Sequence, residues 1–350
     1  MSRSRKPEWL KSRPPSGERF TEIKEILRER NLHTVCEEAN CPNLGECWSG
    51  GANAPPDAEV SAERRSADHS SGPAAREKTA NAAEEGATEE TVPGDAGTAT
   101  FMLMGDRCSR GCNFCDVATG GMEPLDPEEP ENVAGAVAEI GLDYVVLTSV
   151  DRDDLPRQGA PHFAATIREI KRRHPDALVE ALVPDFQGND ALVGEVLDAG
   201  PDVFAHNVET VQRLQWPVRD RRAGYEQSLS VLRQAASESD AYVKTSLMLG
   251  VGEYDHEVYQ ALSDLRAVGV DIVTLGQYLQ PSRSHLEVSE YVHPDAFDTW
   301  RRVAEAELGF LYCASGPLVR SSYRAGELFV EALTGGEDIE TARSKARALD

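Results

Sequence analysis

Six of the seven cysteines in this 350-residue chain lie in two tight triplets, and clustered thiolates are ligands for iron–sulfur clusters or zinc. The first triplet has the spacing C-x4-C-x5-C and comprises Cys36, Cys41 and Cys47. The second has the spacing C-x3-C-x2-C and comprises Cys108, Cys112 and Cys115. Each triplet is short enough to lie in one loop, so the sequence predicts two metal-binding loops.

The second triplet favours a 4Fe–4S cluster over zinc. Three thiolates in one loop can ligate three irons of the cube and leave the fourth iron open to another ligand. Structural zinc usually takes four protein ligands, often as two C-x2-C pairs, and no fourth Cys or His lies nearby in the sequence. Phe114, between the last two cysteines, is expected to cover the cluster with apolar surface. The remaining thiol, Cys313, lies in the apolar run Phe310–Ala314 and is expected to be a core residue.

From residue 99 onward, short apolar segments alternate with amphipathic helices. Strands are predicted at Ala99–Met104, Tyr144–Thr148, Leu178–Val183, Val203–Asn207, Tyr242–Leu249, Ile272–Leu275 and Phe310–Ala314. Helices are predicted near 131–140, 161–173, 189–198, 225–237, 255–268 and 294–307. The alternation predicts an α/β fold, and six strand–helix units favour a partial (β/α)6 TIM-type barrel over a doubly wound sheet. Catalytic groups of such barrels lie at the C-terminal ends of the strands, and the second triplet directly follows the first predicted strand.

The composition divides the chain into four parts. Before the barrel, residues 18–31 have the periodicity of a helix that ends at Asn31. After the first triplet the sequence becomes rich in Ala, Glu, Gly, Ser, Thr and Pro and has no aromatic residue, so a disordered acidic insertion is expected. The expected parts are an N-terminal extension, this insertion, the barrel and a C-terminal segment, over 1–48, 49–97, 98–315 and 316–350.

The charge pattern argues against some partners and for one environment. Sixty Asp and Glu against 36 Lys and Arg give a net charge of −24, which repels a nucleic-acid backbone. Only seven of the basic residues are lysines, and excess carboxylate with scarce Lys predicts a salt-rich cytoplasm, where ~1 M salt screens charges beyond about 3 Å. No apolar run reaches the ~18 residues of a membrane span, and the basic N-terminus lacks the apolar stretch of a secretory signal. We therefore expect a cytoplasmic protein with no membrane or nucleic-acid partner.

The cysteine spacings resemble those of a known family. The second triplet, with an aromatic residue before its last cysteine, resembles the signature of the radical S-adenosylmethionine enzymes, whose fold is a partial β/α barrel. The first triplet, C-E-E-A-N-C-P-N-L-G-E-C-W, resembles the auxiliary-cluster loop of the lipoyl synthase family. Further segments that resemble this family are Thr98–Met102, Thr148–Asp154, Leu182–Phe186, His206–Glu209, Lys244–Met248, Leu275–Arg283 and Gly316–Tyr323. The likeness covers about 15–48 and 98–326, and the insertion departs from the family without removing a ligand.

The resemblance implies a specific activity. Lipoyl synthases insert two sulfur atoms, at C6 and C8 of an octanoyl chain carried on a lysine of a lipoyl carrier protein. A 5′-deoxyadenosyl radical breaks each C–H bond, and an auxiliary cluster supplies the sulfur. The resemblance therefore implies a sulfurtransferase with two 4Fe–4S clusters and S-adenosylmethionine. The implied ligands are Cys108, Cys112 and Cys115 for the radical cluster, and Cys36, Cys41, Cys47 and Ser322 for the auxiliary cluster. The alternative for Ser321 and Ser322 is that they cap a turn.

Six further residues are expected near the cosubstrate. They follow predicted strands or are unusual in this composition, and they are Asp151, Asn207, Glu209, Lys244, Gly250 and Gly252. Four of them have an open alternative role away from the cosubstrate: a helix cap for Asp151, a surface lysine for Lys244, and a simple turn for the two glycines. Histidines 33, 206 and 285 are expected to be structural hydrogen-bonding residues rather than ligands.

The expected partners follow from the implied reaction. The protein substrate is an octanoylated lipoyl carrier, either the lipoyl domain of a 2-oxoacid dehydrogenase or the glycine-cleavage H protein. The electron donor is expected to be a low-potential protein such as ferredoxin. Two alternative functions remain at this point: another sulfur-inserting radical enzyme of the biotin synthase kind, and a two-cluster electron carrier. An open iron argues against the carrier, because a carrier would close both cubes with four thiolates.

Overall fold

The computed structural model describes residues 6–11, 18–38, 41, 43–44, 48, 99–322 and 325–326. The described ranges hold nearly all of the predicted barrel and six cysteines, the exception being Cys47. The expected insertion over 49–97 and most of the C-terminal segment also lie outside the described residues.

Within these ranges, seven parallel strands and one antiparallel edge strand form an eight-stranded sheet. Its strands are β1 (His33–Thr34), β2 (Ala99–Leu103), β5 (Tyr144–Ser149), β6 (Leu178–Leu182), β7 (Val203–Ala205), β8 (Tyr242–Leu249), β9 (Ile272–Gln277) and β10 (Tyr312–Gly316). A separate parallel pair is formed by β3 (Arg107–Cys108) and β4 (Ala118–Thr119). The strands of the large sheet pair in sequence order, which is the topology of a β/α barrel and not of a doubly wound sheet. The predicted fold class is therefore confirmed.

Along the chain, the first helix precedes β1, and the other helices lie between successive strands of the sheet. The helices are α1 (Glu18–Glu29), α2 (Val35–Glu38), α3 (Glu129–Ile140), α4 (Ala160–Arg173), α5 (Asp190–Leu197), α6 (Gln215–Val218), α7 (Tyr225–Glu238), α8 (Asp255–Ala267) and α9 (Pro294–Arg302). The helix predicted over 294–307 is regular only to Arg302 and continues as a π-helical turn over Val303–Glu307. Among the described residues, we find no helix with the length and apolar character needed to span a bilayer.

Side-chain alternation along each strand divides the apolar residues into two layers. On β5, Val145 and Leu147 face the helices and belong to the main core, whereas Tyr144 and Val146 face the inside of the barrel. Helix α4 covers the outer layer with Phe163 and Ile167, which lie one turn apart and are fully buried. The strands are therefore buried on both faces, which explains why they read as continuous apolar runs in the sequence.

The N-terminal extension packs beside the first barrel strand. Strand β1 pairs antiparallel with β2, so that His33 lies opposite Met102. Helix α1 buries Ile23 and Leu27 and ends at Glu29, two residues before Asn31, whose positive φ of 52° is not helical. This packing places α2, which contains a cysteine of the first triplet, next to the barrel.

Candidate active site

A cavity of about 580 Å³ opens at the C-terminal ends of the barrel strands. Both cysteine triplets contribute to its lining, and Ser322 lines it as well. The lining cysteines are Cys36, Cys41, Cys108, Cys112 and Cys115. Two loops that lie far apart in the sequence are therefore brought together around one space.

Backbone N–H groups surround the thiols of the second triplet. The amide nitrogens of Arg110 and Asp151 each lie 3.4 Å from Cys108 Sγ. The amide nitrogen of Asp220 lies 3.3 Å from Cys112 Sγ. Hydrogen bonds to sulfur are one of the means by which proteins stabilise and tune thiolates on an iron–sulfur cluster. The donor set around this loop therefore fits the expected radical cluster.

Burial favours the protonated form of the same thiols. It raises the pKa of Cys108 and of Cys112 to about 12, and that of Cys115 to about 11. Ligation therefore has to release these protons, as it does for thiolate ligands in general. Among the described residues, no three His, Cys, Asp or Glu side chains converge as ligands of a single metal ion. A cluster does not require such convergence, because each thiolate binds a different iron.

Arg110, inside the second triplet, is a buried clamp that the sequence analysis did not single out. Its guanidinium makes two hydrogen bonds of 2.8–2.9 Å to Asp153 and two of 2.8 Å to Asp185. A third carboxylate, that of Asp151, lies 3.4 Å from Nη1. Burial alone would raise the pKa of Asp153, but the hydrogen bonds from Arg110 lower it to about 2. The clamp holds the cysteine loop against the segments that follow β5 and β6.

The segment around α6 supports the same loop from another side. Asn113 donates its backbone N–H to the carbonyl of Val218 at 2.9 Å and its side-chain amide to that of Pro217 at 3.0 Å. The Gly111 N–H donates to the Asp220 carboxylate at 3.0 Å. The conformation of the cysteine loop is thus fixed by hydrogen bonds from outside the triplet.

The loop that follows β9 adds two more hydrogen bonds to the triplet. His285 Nε2 lies 2.9 Å from the carbonyl oxygen of Cys115, which makes the imidazole the donor. The Leu286 N–H donates to the carbonyl of Asn113 at 2.9 Å. His285 therefore has the structural hydrogen-bonding role expected from the sequence, and its partner, Cys115, is one of the expected cluster ligands.

The first triplet is linked directly to the C-terminal segment. Cys36 is buried in α2, and the Cys41 N–H donates to the Cys36 carbonyl at 3.1 Å. Asn43 donates its side-chain amide to the carbonyl of Leu318 at 2.5 Å. This bond ties the cysteine loop to the strand exit that leads to Ser322. Cys47, the third expected ligand, lies outside the described residues.

Three of the residues expected near the cosubstrate line the cavity: Asp151, Asn207 and Glu209. Burial raises the pKa of Asp151 to about 6, and it also raises the pKa of Glu209 above its usual range. Glu209 has a φ of 68°, in the left-handed region, and backbone hydrogen bonds to Ser246 and Met248 on β8 hold it there. A constrained, desolvated carboxylate in a cavity is typical of a binding or catalytic position.

The other three expected residues are not among those that line the cavity. Lys244 forms a buried ion pair with Glu180, at 2.8–2.9 Å, inside the barrel. Gly250 is approached by its own chain, since a Cβ at this position would lie 2.2 Å from the Gln277 amide. Gly252 faces Ser289 in the same way, at 3.2 Å. Their placement gives no support to the expected cosubstrate contacts, because protein atoms already occupy the space that these residues face.

The two remaining expectations concern other histidines and the single cysteine. His33 Nδ1 lies 3.2 Å from a Glu38 carboxylate oxygen, and His206 lies within 2.9 Å of Val183 O and Ser228 Oγ. Both therefore bond to protein groups, as predicted. Cys313 is fully buried, which confirms its predicted place in the core.

Comparison with known proteins agrees with the geometry of this site. Residues 102–265 match the radical SAM superfamily, and residues 1–41 match the N-terminal domain of lipoyl synthase of the Radical_SAM family. The lipoyl synthase of Halobacterium salinarum is 67% identical over 348 residues, covering 99% of this chain and 98% of the relative. The chain belongs to the lipoyl synthase family. This membership decides against the biotin synthase and electron-carrier alternatives, and it makes the chain a sulfur-inserting radical S-adenosylmethionine enzyme.

More distant lipoyl synthases retain the similarity. The chloroplastic lipoyl synthase of Arabidopsis thaliana is 50% identical over 331 residues, covering 94% of this chain and 73% of the relative. Among solved structures, that of methylornithine synthase aligns with a TM-score of 0.48 at 15% identity, covering 59% of this chain and 61% of that chain.

Proposed function

We propose that the cavity holds two 4Fe–4S clusters and S-adenosylmethionine and that octanoyl chains are converted to lipoyl chains between them. The observation that carries this proposal is the shared lining: the second triplet, two cysteines of the first triplet and Ser322 all face one cavity. Sulfur insertion requires a radical and a sulfur donor within bonding reach of the same carbon. One cavity bordered by both ligand sets meets that requirement.

The radical cluster is assigned to the second triplet, Cys108, Cys112 and Cys115. When bound, it would leave one iron for the amino and carboxylate groups of S-adenosylmethionine and supply the electron that produces the 5′-deoxyadenosyl radical. Arg110 holds the cysteine loop against the segments that follow β5 and β6 through hydrogen bonds to Asp153 and Asp185. Asn207 and Glu209, which follow β7 and line the cavity, are placed to hydrogen-bond the cosubstrate.

The substrate chain is apolar, and the cavity offers apolar contacts for it. Val35 from the N-terminal extension and Met102, Leu182 and Met248 from the barrel strands line the space. The six CH₂ groups and the terminal CH₃ of an octanoyl chain gain favourable transfer free energy in such a lining, about 0.8 kcal/mol for each CH₂ that is fully buried. These side chains also exclude water from the carbon radical, which protects it from side reactions.

The auxiliary cluster is the sulfur-donating substrate, assigned to Cys36, Cys41, Cys47 and Ser322. A serine oxygen is a harder ligand than a thiolate and is weaker on a soft iron–sulfur site, so it can leave when sulfur is withdrawn. Arg320 lies in the same lining, partly buried, and its charge interacts with the Cys41 thiol. A guanidinium beside the thiol favours the thiolate that ligation needs.

The macromolecular partners are an octanoylated lipoyl carrier and a one-electron donor. The carrier is the lipoyl domain of a 2-oxoacid dehydrogenase or the glycine-cleavage H protein, and the donor is a low-potential protein of the ferredoxin class. A carrier-bound octanoyl-lysine is long enough to place its chain in a cavity while the carrier stays outside.

Anaerobic reconstitution tests the proposal directly. The protein is loaded with iron and sulfide, incubated with an octanoylated carrier, S-adenosylmethionine and reductant, and the carrier is examined by mass spectrometry. We expect about eight irons and eight sulfides per chain, as for two cubes, and a carrier mass that gains two sulfur atoms. Four irons and four sulfides, or zinc without sulfide, would contradict the two-cluster assignment.

Two matched variants separate the clusters. Cys108→Ala is expected to abolish S-adenosylmethionine cleavage, because the radical cluster loses a ligand. Cys41→Ala is expected to retain cleavage and to give no lipoyl product, because only the sulfur donor is damaged. Cys313→Ala is the control, since this thiol is fully buried in the core. A Cys41→Ala enzyme that still made lipoyl product would show that the sulfur comes from elsewhere.

A further inference from the structure

The inside of the barrel contains a buried polar network that the cavity does not use. Lys244 Nζ bonds both carboxylate oxygens of Glu180 at 2.8–2.9 Å, and the Tyr144 hydroxyl donates to the same carboxylate at 2.6 Å. Lys244 and Glu180 have side-chain exposures of 6% and 0%. The three residues come from β8, β6 and β5, so the network joins three strands.

Burying a charged pair is costly, and apolar residues of similar size often give equal stability. The network therefore calls for a role other than stability.

The C-terminal segment packs on this network. Ala325 is 2% exposed and belongs to a small apolar group inside the barrel, which we call the floor cluster. The strand residues of the floor cluster are Tyr144, Val146, Leu178, Val203 and Ile272. Gly326 is in contact with Tyr144 itself, since a Cβ on this glycine would lie 2.9 Å from Tyr144 Cβ and 3.2 Å from Tyr144 Cγ. Tyr144 is thus part of both the polar network and the surface on which the segment rests.

The same segment is fixed at a second point nearer the cavity. The carbonyl oxygen of Val319 would lie 2.1 Å from a Cβ on Gly276 of β9, so only a glycine allows this approach. Ser322 lies between the two points, three residues after Val319 and three before Ala325. Three residues span at most about 11 Å, so the positions of the two points limit where Ser322 can lie.

We propose that Tyr144, held by Glu180 and Lys244, is a positioning residue that seats Ala325 and Gly326 and thereby sets Ser322 at the auxiliary cluster. The inference rests on the proposed role of Ser322 as a cluster ligand. Tyr144 is not among the residues that line the cavity, so it would act only through the chain that it supports. The ion pair fixes the orientation of the ring, because Glu180 accepts from Tyr144 and Lys244 at once.

The test uses Gly326→Ala, which inserts a methyl group against the root of the Tyr144 side chain, where rotation cannot relieve the contact. The variant is measured in the otherwise complete enzyme for 5′-deoxyadenosine formation and for lipoyl product. We expect product to fall tenfold or more while 5′-deoxyadenosine formation stays within twofold. Gly194→Ala in α5 is the control, because a Cβ there meets only the end of Gln234, at 3.9 Å.

A spectroscopic readout separates positioning from a general loss of stability. The Mössbauer spectrum of the auxiliary cluster is recorded in chains that lack the three cysteines of the second triplet, so that only this cluster contributes. We expect Gly326→Ala to change the spectrum in the same way as Ser322→Ala, and Gly194→Ala to leave it unchanged. Tyr144→Phe, which keeps the ring and removes the hydroxyl that bonds Glu180, is expected to give a smaller change of the same kind.

The outcomes distinguish failure of this inference from failure of the proposed function. A Gly326→Ala or Tyr144→Phe spectrum equal to that of the unmodified chain, with Ser322→Ala changed, would overturn the positioning role and leave the ligand role intact. An unchanged Ser322→Ala spectrum would overturn the ligand role and the inference with it. If Gly326→Ala does not fold, the Tyr144→Phe comparison decides alone.

Discussion

The Arg110 guanidinium and the Asp185 carboxylate form a two-point ion pair in which both side chains are buried. Nη1 lies 2.8 Å from Oδ2 and Nη2 lies 2.8 Å from Oδ1, with side-chain exposures of 2% and 0%. Arg110 lies between two cysteines of the second triplet, whereas Asp185 follows β6. The pair therefore connects the cysteine loop to a rigid strand end. Its two parallel hydrogen bonds suit a planar guanidinium better than a lysine ammonium.

Arg110→Lys is expected to damage both stability and radical formation. A lysine ammonium cannot bond both oxygens of Asp185 while also bonding Asp153, so a buried carboxylate loses its partner, at a cost of about 3 kcal/mol. We expect a lower denaturation midpoint and at least a tenfold slower S-adenosylmethionine cleavage. Arg172→Lys on α4, in an exposed pair with Glu169, is the control and is expected to change the free energy of unfolding by less than about 0.5 kcal/mol. Equal effects of the two substitutions would contradict a special role for Arg110.

His206 is expected to make stability depend on pH. Burial lowers the pKa of His206 to about 4, and the nearby Arg219 acts in the same direction, whereas Asp185 opposes it. Above pH 6.5 the imidazole is neutral in both states and contributes nothing. As the pH falls through 6.5 only the unfolded chain takes up the proton, so stability decreases, by about 1.4 kcal/mol at pH 5.5.

The measurement is the free energy of unfolding at pH 7.5 and at pH 5.5 for the unmodified chain and for His206→Gln. The difference between the two proteins cancels the other titrating groups, and we expect the loss on acidification to be about 1.4 kcal/mol smaller in the variant. His256→Gln, at an exposed position, is expected to behave like the unmodified chain. A His206→Gln protein with an undiminished loss would contradict the neutral, buried state of this imidazole.

Much of the fold is readable from the sequence because parallel strands are buried on both faces. Strand β8 has the predicted bounds, Tyr242–Leu249, and the other barrel strands through β9 begin at their predicted residues. The last strand begins at Tyr312 and not at Phe310, because the Phe310 N–H bonds the Ala304 carbonyl at the end of the helical turn. Apolar character alone does not distinguish a buried turn from a strand, which explains this shift.

The parts of the site that spacing could not reveal are the contacts between distant segments. The triplets predicted two cysteine loops, and cysteines of both line the cavity, but the partners of Arg110 lie on two other segments of the chain, so no local pattern marks the clamp. Lys244 illustrates a different limit. It shares the inward face of β8 with Met248, which lines the cavity, but it lies four residues earlier on the strand and contacts Glu180 instead. Side-chain alternation predicts which face of the sheet a residue lies on, but it does not predict whether that residue reaches the cavity.

Glu209→Gln is expected to weaken cosubstrate binding without loss of the radical cluster. The carboxylate is desolvated in the cavity and held with a positive φ by hydrogen bonds to β8, so removing its charge changes a fixed contact and not the fold. We expect the KM for S-adenosylmethionine to rise tenfold or more while kcat changes less than threefold. Iron content serves as the internal control and is expected to stay constant. A lower kcat with an unchanged KM would contradict a role of Glu209 in binding the cosubstrate.

Concentrated salt is expected to stabilise the chain. With a net charge of −24 the folded surface repels itself in dilute buffer, and at ~1 M salt the screening length shortens to about 3 Å. We expect the Tm to rise steadily from low to multimolar KCl. The comparison is a variant with Glu123→Gln, Asp240→Asn and Asp298→Asn, three exposed positions, which is expected to melt at a higher temperature in low salt and to gain less from KCl. A Tm that is unchanged or falls with KCl, or an equal gain in the variant, would contradict surface repulsion as the cause.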